Sequence, residues 1–277
     1  MRKRHPPFRR RKLAKKLRKL RLHARMSIQE AAKALDKDVQ ALYRIEAAET
    51  RVDVHLVRSM MDLYDAYDPD LLDQVRDALK AGWWRAFGIK GHGYLDVETE
   101  AAIVRELALL TIPGLLQTEA YMHAIFEAHH PRHSAEALRN NVAVRLIRQR
   151  RLTDPDHPLA LEAIIDEAAL RKMVGGPDVM RAQLRHLLEM MALPNVMLRI
   201  LSADLGVYDA MSSGSFTLVG FPDPDDLDVL YVPYVTGALH IENQEEPKAA
   251  RLTFDRLAAK ALTPDQSTAL IERILAE

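Results

Sequence analysis

The segment from Met26 to Glu46 constrains the fold most, because it carries the start and stop signals of two short helices. Ser27 stands three residues before Glu30, which is the spacing of a capping box at a helix N-terminus. Asp36 follows the last apolar position of this helix and tolerates a left-handed turn better than most residues do. Asp38 is then a natural N-cap for the next helix. The segment therefore predicts two helices joined at a tight corner.

The residues before this segment are strongly basic. Residues 1–25 contain 13 Lys and Arg side chains and no acidic one. Leu13, Leu17 and Leu20 recur at helical spacing, which predicts an amphipathic helix with a cationic polar face. Residues 1–70 hold 18 basic and 10 acidic side chains, a net charge of +8, so the rest of this neutral chain carries −8. A basic module joined to an acidic one indicates that the basic module contacts phosphate backbones.

The helical pattern continues to about residue 81 and then changes. Helices are predicted over 39–47, 54–65 and 69–81, the last with a proline at its first helical position. The tandem Trp83 and Trp84, followed by a glycine-rich stretch, favour a packed hinge between domains over a ligand cage. We therefore divide the chain into a basic arm at 1–9, a DNA-binding domain at 10–81, a junction at 82–93 and a regulatory or partner-binding domain at 94–277.

The second half combines helices and strands. Residues 94–112 are ambiguous between a strand followed by a helix and two strands. Strands are predicted at 158–165, 196–201, 215–221, 229–235 and 238–242, and long helices at 134–152, 246–261 and 264–276. The later strands arrive in a run and do not alternate with helices, which favours an antiparallel sheet. The expected fold class is mixed, with an all-α helix-turn-helix N-terminal domain followed by an α+β domain with a mainly antiparallel sheet.

Several groups of polar residues in this half were weighed as chemical sites. The histidines at 123, 129, 130 and 133 cluster, but Pro131 interrupts the helix that would align two of them for a metal. Asp166 and Glu167 are neighbours on a strand and would face opposite sides. The aspartates at 223, 225, 226 and 228 lack the glycine and glutamate of a calcium loop. We therefore expect no metal, no cofactor and no enzyme activity.

Four arginines between residues 145 and 151 have a different character. They spread too widely around the predicted helix to form one stripe, which favours a solvated or inter-domain face. A surface for a protein partner stays open, because arginine is enriched in binding hot spots. The four residues are Arg145, Arg148, Arg150 and Arg151.

The composition also bears on the cellular compartment. The chain has no cysteine, which excludes disulfides and thiolate metal sites and fits a reducing cytosol. It has no apolar run of the length that a membrane span needs, and its basic start lacks the apolar region of a signal peptide. The expected location is the cytoplasm, in association with the nucleoid.

The run MSIQEAAKALDKDVQALYRIE at 26–46 resembles, without gaps, the helix-turn-helix of the xenobiotic-response-element type shared with phage repressors. Ile28 stands where that family usually has a phosphate-bracing glutamine, and Asp36 stands where it usually has a glycine. The resemblance implies base contacts from Asp38, Val39, Gln40 and Tyr43. The expected phosphate contacts are Arg10, Ser27, Gln29, Arg44, Thr50 and Arg51.

The second half resembles the C-terminal domain of unknown function that follows this helix-turn-helix in many actinobacterial regulators. The resemblance is carried by GWW at 82–84, PGLLQTEAY at 113–121, RLIRQRRL at 145–152, IIDEAAL at 164–170, VGGPDVMRAQLRHLLEM at 174–190 and SGSFTLVGF at 213–221, in that order. It implies a transcriptional regulator that is often encoded near a small protein partner. It implies no particular ligand and no catalytic residues.

These observations favour a sequence-specific regulator that reads the major groove of double-stranded DNA with helix 38–47. We expect a homodimer, a palindromic operator and a second half that serves dimerisation, partner binding or effector binding. The alternative is an antitoxin-like sequestering module whose main role is to bind a small protein. An enzyme with a DNA-targeting domain is the weakest of the three hypotheses, because no catalytic motif was found.

Overall fold

The computed structural model describes residues 6–89, 93–129, 134–223 and 226–277. The start of the basic arm, Gly91 and His92 of the junction, His130 and His133 of the histidine cluster, and Asp225 lie outside these ranges. The chain divides into two compact units. The N-terminal unit contains the chain up to Arg85, and the main part of the C-terminal unit is Val97–Glu277.

The N-terminal unit consists of five helices around one apolar core. They are α1 at Phe8–His23, α2 at Ile28–Ala34, α3 at Val39–Glu46, α4 at Val54–Leu63 and α5 at Pro69–Leu79. Leu17, Leu42 and Leu71 are fully buried in this core, and Ile28 packs against its edge. The five predicted helices are confirmed, and α4 and α5 end two residues earlier than expected.

The first four helices have the same backbone arrangement at their C-terminal ends. At each end, one residue adopts a left-handed backbone conformation, and the next N–H reaches back to a carbonyl five residues earlier. The four left-handed residues are Arg25, Asp36, Ala48 and Asp65. At the corner between α2 and α3, Asp36 has a φ of 55°, as its sequence context predicts, and Lys37 N–H donates to the carbonyl of Ala32 at 2.9 Å.

Replacing Asp36 by glycine is expected to stabilise the N-terminal unit by about 1 kcal/mol, because glycine adopts a positive φ without steric cost. The measurement is urea unfolding followed by the fluorescence of Trp83 and Trp84, the only tryptophans in the chain. Asp36→Asn is the matched control and should change stability little, since asparagine also tolerates this conformation. A glycine variant that is less stable than the parent would contradict the assigned turn conformation.

The C-terminal unit is an α+β structure. Both the 3₁₀ helix Trp83–Phe87 and α6 at Tyr94–Glu98 have residues in each of the two units. The elements that follow lie in the C-terminal unit. They are β1 at Ile103–Ala108, α7 at Glu119–His129, α8 at Ala135–Gln149, β2 at Ala160–Asp166, α9 at Glu167–Arg171, α10 at Pro177–Met191, β3 at Val196–Leu201, β4 at Phe216–Gly220, β5 at Val229–Tyr234, β6 at Gly237–Ile241, α11 at Glu245–Lys260 and α12 at Pro264–Ala276. The ambiguous segment 94–112 is thus a short helix followed by a strand, which neither interpretation anticipated.

The six strands form one mixed sheet in the order β3-β2-β1-β4-β5-β6. β1 pairs parallel with β2, and β2 with β3, whereas the other three pairs are antiparallel. The expectation of a mainly antiparallel sheet was therefore wrong. Helices α7 and α8 lie between β1 and β2 in the chain, and α9 and α10 lie between β2 and β3. Such helical connections return the chain in the same direction and produce parallel pairs.

The central strand β1 carries different chemistry on its two faces. Leu107 belongs to an apolar core that also contains Phe216 and residues of α11. The neighbouring Glu106 projects to the other face, because side chains alternate along a strand. On that face Glu106 lies in register with Ala163 of β2 and Thr217 of β4. The sheet therefore places a carboxyl group in its central strand, on the face away from this core.

Within the described ranges, no helix is both long and apolar enough to cross a membrane.

Candidate nucleic-acid interface

The corner between α2 and α3 is built by local hydrogen bonds. The Ser27 hydroxyl accepts the backbone N–H of Glu30 at 3.2 Å, and the Glu30 carboxylate accepts the N–H of Ser27 at 2.8 Å. The Ser27 hydroxyl also donates to the Glu30 carboxylate, and this hydrogen bond, followed by that from the Ser27 N–H, lowers the pKa of Glu30. At the start of α3, the Asp38 carboxylate accepts the N–H of Gln40 at 2.6 Å. Both caps agree with the sequence prediction and fix where α3 begins.

Helix α3 has an apolar inner side and an accessible outer side. Leu42 and Ile45 are buried, whereas 37% of Val39 and 56% of Tyr43 are exposed. Gln40 is also exposed. Apolar and aromatic side chains that extend from a short helix into solvent can contact thymine methyl groups or base edges in a major groove. The structure therefore leaves the predicted base-contacting side chains of α3 accessible.

Two of the predicted contact residues already have a structural role. The carboxylate of Asp38 caps α3, and the hydroxyl of Ser27 donates to Glu30 at 2.7 Å while it caps α2. Both side chains are nevertheless exposed. A hydroxyl or a carboxylate in a cap keeps unused lone pairs, but a carboxylate repels phosphate and accepts only from a base amine such as cytosine N4.

The predicted phosphate contacts lie around the two ends of this corner. Gln29, Arg44, Thr50 and Arg51 are all exposed. The loop after α3 is held by the N–H groups of Glu49 and Thr50, which donate to the carbonyl of Arg44 at 2.8 and 3.2 Å. These hydrogen bonds hold the loop that carries Arg51 close to the last turn of α3.

Arg10 and Arg51 form a pair of like charges. Arg10 is half-buried, and partial burial followed by repulsion from Arg51 lowers its pKa. Within the described part of the chain its Nε atom is buried without a hydrogen-bond partner, and no ion pair involves either arginine. Two guanidinium groups held near each other without an acid are a suitable place for a phosphate oxygen.

The basic face of α1 also contributes to the fold. Lys16 forms an ion pair with Asp68 at 2.7 Å, and this contact is the largest cause of the lowered pKa of Asp68. The Arg11 side chain donates to the carbonyl of Pro6 at 3.0 Å, and its guanidinium lies 5.2 Å from the ring centre of Phe8. The cationic face of α1 is therefore not wholly available to phosphates, because part of it is engaged inside the unit.

Arg21 and Glu46 form a buried ion pair that sequence reasoning missed. Arg21 Nε and Nη2 donate to the two carboxylate oxygens of Glu46 at 2.7 and 2.8 Å, and Nη1 donates to the carbonyl of Met26 at 2.8 Å. The side chains are only 8% and 6% exposed. This bidentate contact ties α1 to the last turn of α3. Burial, together with Glu46, also raises the pKa of the neighbouring Tyr64 to about 12.

The tandem tryptophans pack inside the N-terminal unit. Trp84 is buried, and the two rings meet edge to face with their centres 5.9 Å apart. A side chain on Gly82 would overlap the Trp84 ring, since its Cβ would stand 2.2 Å from a ring atom. The glycine before the tryptophans is therefore required by close packing.

The polar groups of the C-terminal unit that were weighed as sites are mostly engaged. Asp166 caps α9 and accepts the Tyr208 hydroxyl, and burial followed by this hydrogen bond raises the Tyr208 pKa. Glu167 is buried and accepts from Arg171 Nε at 2.6 Å and from the Ala203 N–H at 3.0 Å. Both carboxylates therefore stabilise the ends of β2 and β3. Outside the undescribed segments, no group of three or more potential ligands could hold a metal ion.

The sequence favoured a solvated or inter-domain face for the four clustered arginines. Three of them instead form hydrogen bonds inside the C-terminal unit. Arg148 donates twice to Glu98 at 2.6 Å, and Arg151 donates to the carbonyls of Glu98 and Ala101. Arg145 donates to Gln117 at 2.5 Å. Of the four, Arg150 is exposed. Spacing on the helix did not predict these contacts, because the partners come from segments far away in the sequence.

Two domain families match the chain. Residues 12–75 match the model of a helix-turn-helix domain. Residues 92–273 match the model of a domain of unknown function, DUF5753. No curated protein and no solved structure matches the chain.

Proposed function

Because the chain belongs to the family defined by the domain of unknown function DUF5753, here preceded by a helix-turn-helix domain, we propose that it is a sequence-specific transcriptional regulator. The helix-turn-helix domain makes it a DNA-binding regulator. The observation that supports sequence reading is the accessible outer side of α3, where Val39, Gln40 and Tyr43 extend from a rigidly capped helix. We assign no catalytic step to the chain.

In the proposed complex, α3 lies in the major groove and the two kinds of contact are divided. Gln40 is suited to a bidentate contact with adenine, and Val39 and Tyr43 to apolar contacts with thymine methyl groups. Asp38 would accept from a cytosine amine while it caps the helix. The phosphate contacts are assigned to Arg10, Ser27, Gln29, Arg44, Thr50 and Arg51. Arg10 and Arg51 carry the strongest support, because they repel each other and form no ion pair with any residue that the structure describes.

The C-terminal unit is proposed to supply dimerisation and to bind an effector or a small protein partner. A dimer would present two copies of α3 and would read an inverted repeat with half-sites about one helical turn apart. The test is selection of full-length protein on pooled random duplex DNA at two salt concentrations, with sequencing of the bound fraction. Enrichment of an inverted repeat, with affinity that falls steeply as salt rises, is the expected result. Salt-dependent binding without any enriched sequence would refute sequence-specific reading.

Gln40→Ala is expected to weaken binding to the selected operator by about 5- to 150-fold, a loss of about 1–3 kcal/mol, and to relax the preference at one base pair. Binding to random DNA should be unchanged. Arg51→Ala should weaken binding to both kinds of DNA alike and reduce the slope of affinity against salt by about one. The measurement is fluorescence anisotropy with labelled operator and random duplexes.

Arg58→Ala is the matched control for Arg51→Ala, since Arg58 is an exposed arginine of α4 that is assigned no DNA contact. It should leave both affinities close to those of the parent. Equal losses on operator and random DNA for Gln40→Ala and Arg51→Ala would contradict the division into base and phosphate contacts.

A further inference from the structure

A polar cluster in the C-terminal unit has the features of a ligand site. It comprises Glu106 of β1, which interacts electrostatically with Arg145 and Arg148 of α8, and the 3₁₀ helix Gly114–Leu116, whose Gly114 lies beside the same two arginines. We propose that Arg145 and Glu106, beside Gly114, bind a small organic carboxylate. Binding itself is independent of the DNA-binding role. Only the further step, that the ligand is an effector, rests on the proposed regulatory function.

The Arg145 guanidinium is held in one orientation, but among the described residues only its Nη1 atom donates a hydrogen bond. Its Nη1 donates to Gln117 Oε1 at 2.5 Å, and Gln117 in turn donates to the carbonyl of Ile112 at 2.7 Å. The guanidinium lies over the ring of Phe126, 4.4 Å from its centre. Within the described ranges, the Nε atom is buried without a hydrogen-bond partner and Nη2 has none either. The Nε–Nη2 edge is the fork with which arginine binds a carboxylate through two hydrogen bonds.

Among the described residues, Arg145 forms no ion pair, although Glu106 and Glu98 interact with it electrostatically. Arg148, one turn further along α8, is satisfied by both oxygens of Glu98 at 2.6 Å. Glu106 is partly exposed and, in the part of the chain that the structure describes, forms no hydrogen bond or ion pair. Arg145 and Glu106 thus influence each other's pKa without forming an ion pair. A ligand that accepts hydrogen bonds from Arg145 would use its free donors. A proton on Glu106 would remove the unpaired negative charge.

The titration of the two groups agrees with this arrangement. Burial raises the pKa of Glu106 to about 7 although Arg148 and Arg145 act in the opposite direction. Burial and repulsion from Arg148 lower the pKa of Arg145 to about 10. The charged and titratable groups that face Glu106 are Arg145 and Arg148 from α8, Glu98 from α6 and Tyr231 from β5. A bound carboxylate adds negative charge there, so Glu106 should take up a proton on binding.

Gly114 lies beside both guanidinium groups and presents no side chain to them. A Cβ on this residue would stand 3.5 Å from Arg145 Nε and 3.8 Å from Arg148 Nη1. These are ordinary contact distances, so an alanine fits without displacing either arginine. Gly114→Ala therefore offers a way to narrow the site while the fold and both charges are kept.

The test is isothermal titration calorimetry of the full chain with propionate, benzoate and succinate, at constant ionic strength. Saturable binding of at least one probe, with a Kd on the order of 1 mM, is expected for ligands of this size. Arg145→Gln should weaken it by about 10- to 100-fold, as expected when a charged hydrogen-bond donor is removed. Arg139→Gln, an exposed arginine of the same helix, is the matched control and should bind like the parent. Gly114→Ala should also weaken binding.

Proton uptake separates this site from nonspecific anion binding. Titrations near pH 7 in two buffers with different ionisation enthalpies should show a proton taken up by the parent and none by Glu106→Gln, which should still bind. The affinity of the parent should fall as pH rises above 7, because the ionised Glu106 repels the ligand.

Three outcomes would overturn the proposal. One is no heat of binding from any of the three carboxylates at concentrations that saturate a millimolar site. The second is undiminished binding in both Arg145→Gln and Gly114→Ala; if Arg145→Gln does not fold, Gly114→Ala decides. The third is tighter, Arg145-dependent binding of inorganic phosphate, which would refute the assignment to carboxylates. None of these measurements involves DNA, so failure here is distinct from failure of the proposed regulatory function.

Discussion

Replacing Arg21 by methionine is expected to destabilise the N-terminal unit by about 3–5 kcal/mol, because it leaves the Glu46 carboxylate buried without its partner. The pair is almost fully buried and bidentate, and the same guanidinium also holds the carbonyl of Met26. Loss of a single contact on the surface would cost far less. Unfolding in urea, followed through the fluorescence of Trp84, measures the change in this unit.

The control for this variant is Arg18→Met, an exposed arginine of the same helix. It removes the same charge and should alter the free energy of unfolding by less than about 0.5 kcal/mol. The double variant Arg21→Met/Glu46→Leu should regain much of the lost stability, since an apolar pair of similar volume can replace a buried ion pair. If Arg21→Met were as stable as Arg18→Met, the ion pair would not hold α1 to α3.

Glu106→Gln is expected to stabilise the C-terminal unit by about 2 kcal/mol at pH 8 and to have little effect at pH 5. The pKa of this carboxyl rises from 4.5 to about 7 on folding. The folded state therefore binds the proton more tightly, and the free energy of unfolding falls as pH rises from 4.5 to about 7. The expected stabilisation is smaller than the free energy that corresponds to the full pKa shift, because Glu106 is partly exposed. Glutamine resembles the protonated acid, so the variant does not lose stability when the pH rises.

Hydrogen exchange of the β1 and β4 amides at both pH values is the suitable measurement, because both tryptophans of the chain belong to the other unit. Glu272→Gln changes an exposed carboxylate of α12 and should have no such pH dependence. A stabilisation by Glu106→Gln that is equal at pH 5 and pH 8 would show that the titration of this carboxyl is not the cause.

The features predicted correctly from the sequence are those that depend on neighbours in the chain. The capping box of Ser27 and Glu30, the N-cap of Asp38 and the left-handed Asp36 each need only three or four adjacent residues. These signals locate α2, α3 and the corner between them. They also identify which side of α3 is accessible, since Leu42 and Ile45 occupy the inner positions.

The features that were missed depend on contacts between distant segments. The role of Arg21 was not predicted, because nothing near it in the sequence reveals that Glu46 lies beside it. The parallel half of the sheet was missed because the position of β1 within the ambiguous segment 94–112 was not determined. Its two charged residues interrupt the apolar pattern, and Arg105 finds its partner in Glu162 of the adjacent strand at 2.9 Å.

The position of β1 in the sheet affects how the chain is made on the ribosome. β1 leaves the ribosome early, but its partners are complete only much later, since Leu107 pairs with Ile164 on one side and with Phe216 on the other. At usual rates of synthesis, the second partner follows on the order of 5–20 s after the first strand. The residues that build the helical N-terminal unit precede β1 in the chain, so this unit can fold during that time. Arg105 and Glu106 then act as gatekeepers, because two charges in the middle of an unpaired apolar strand oppose its aggregation during translation.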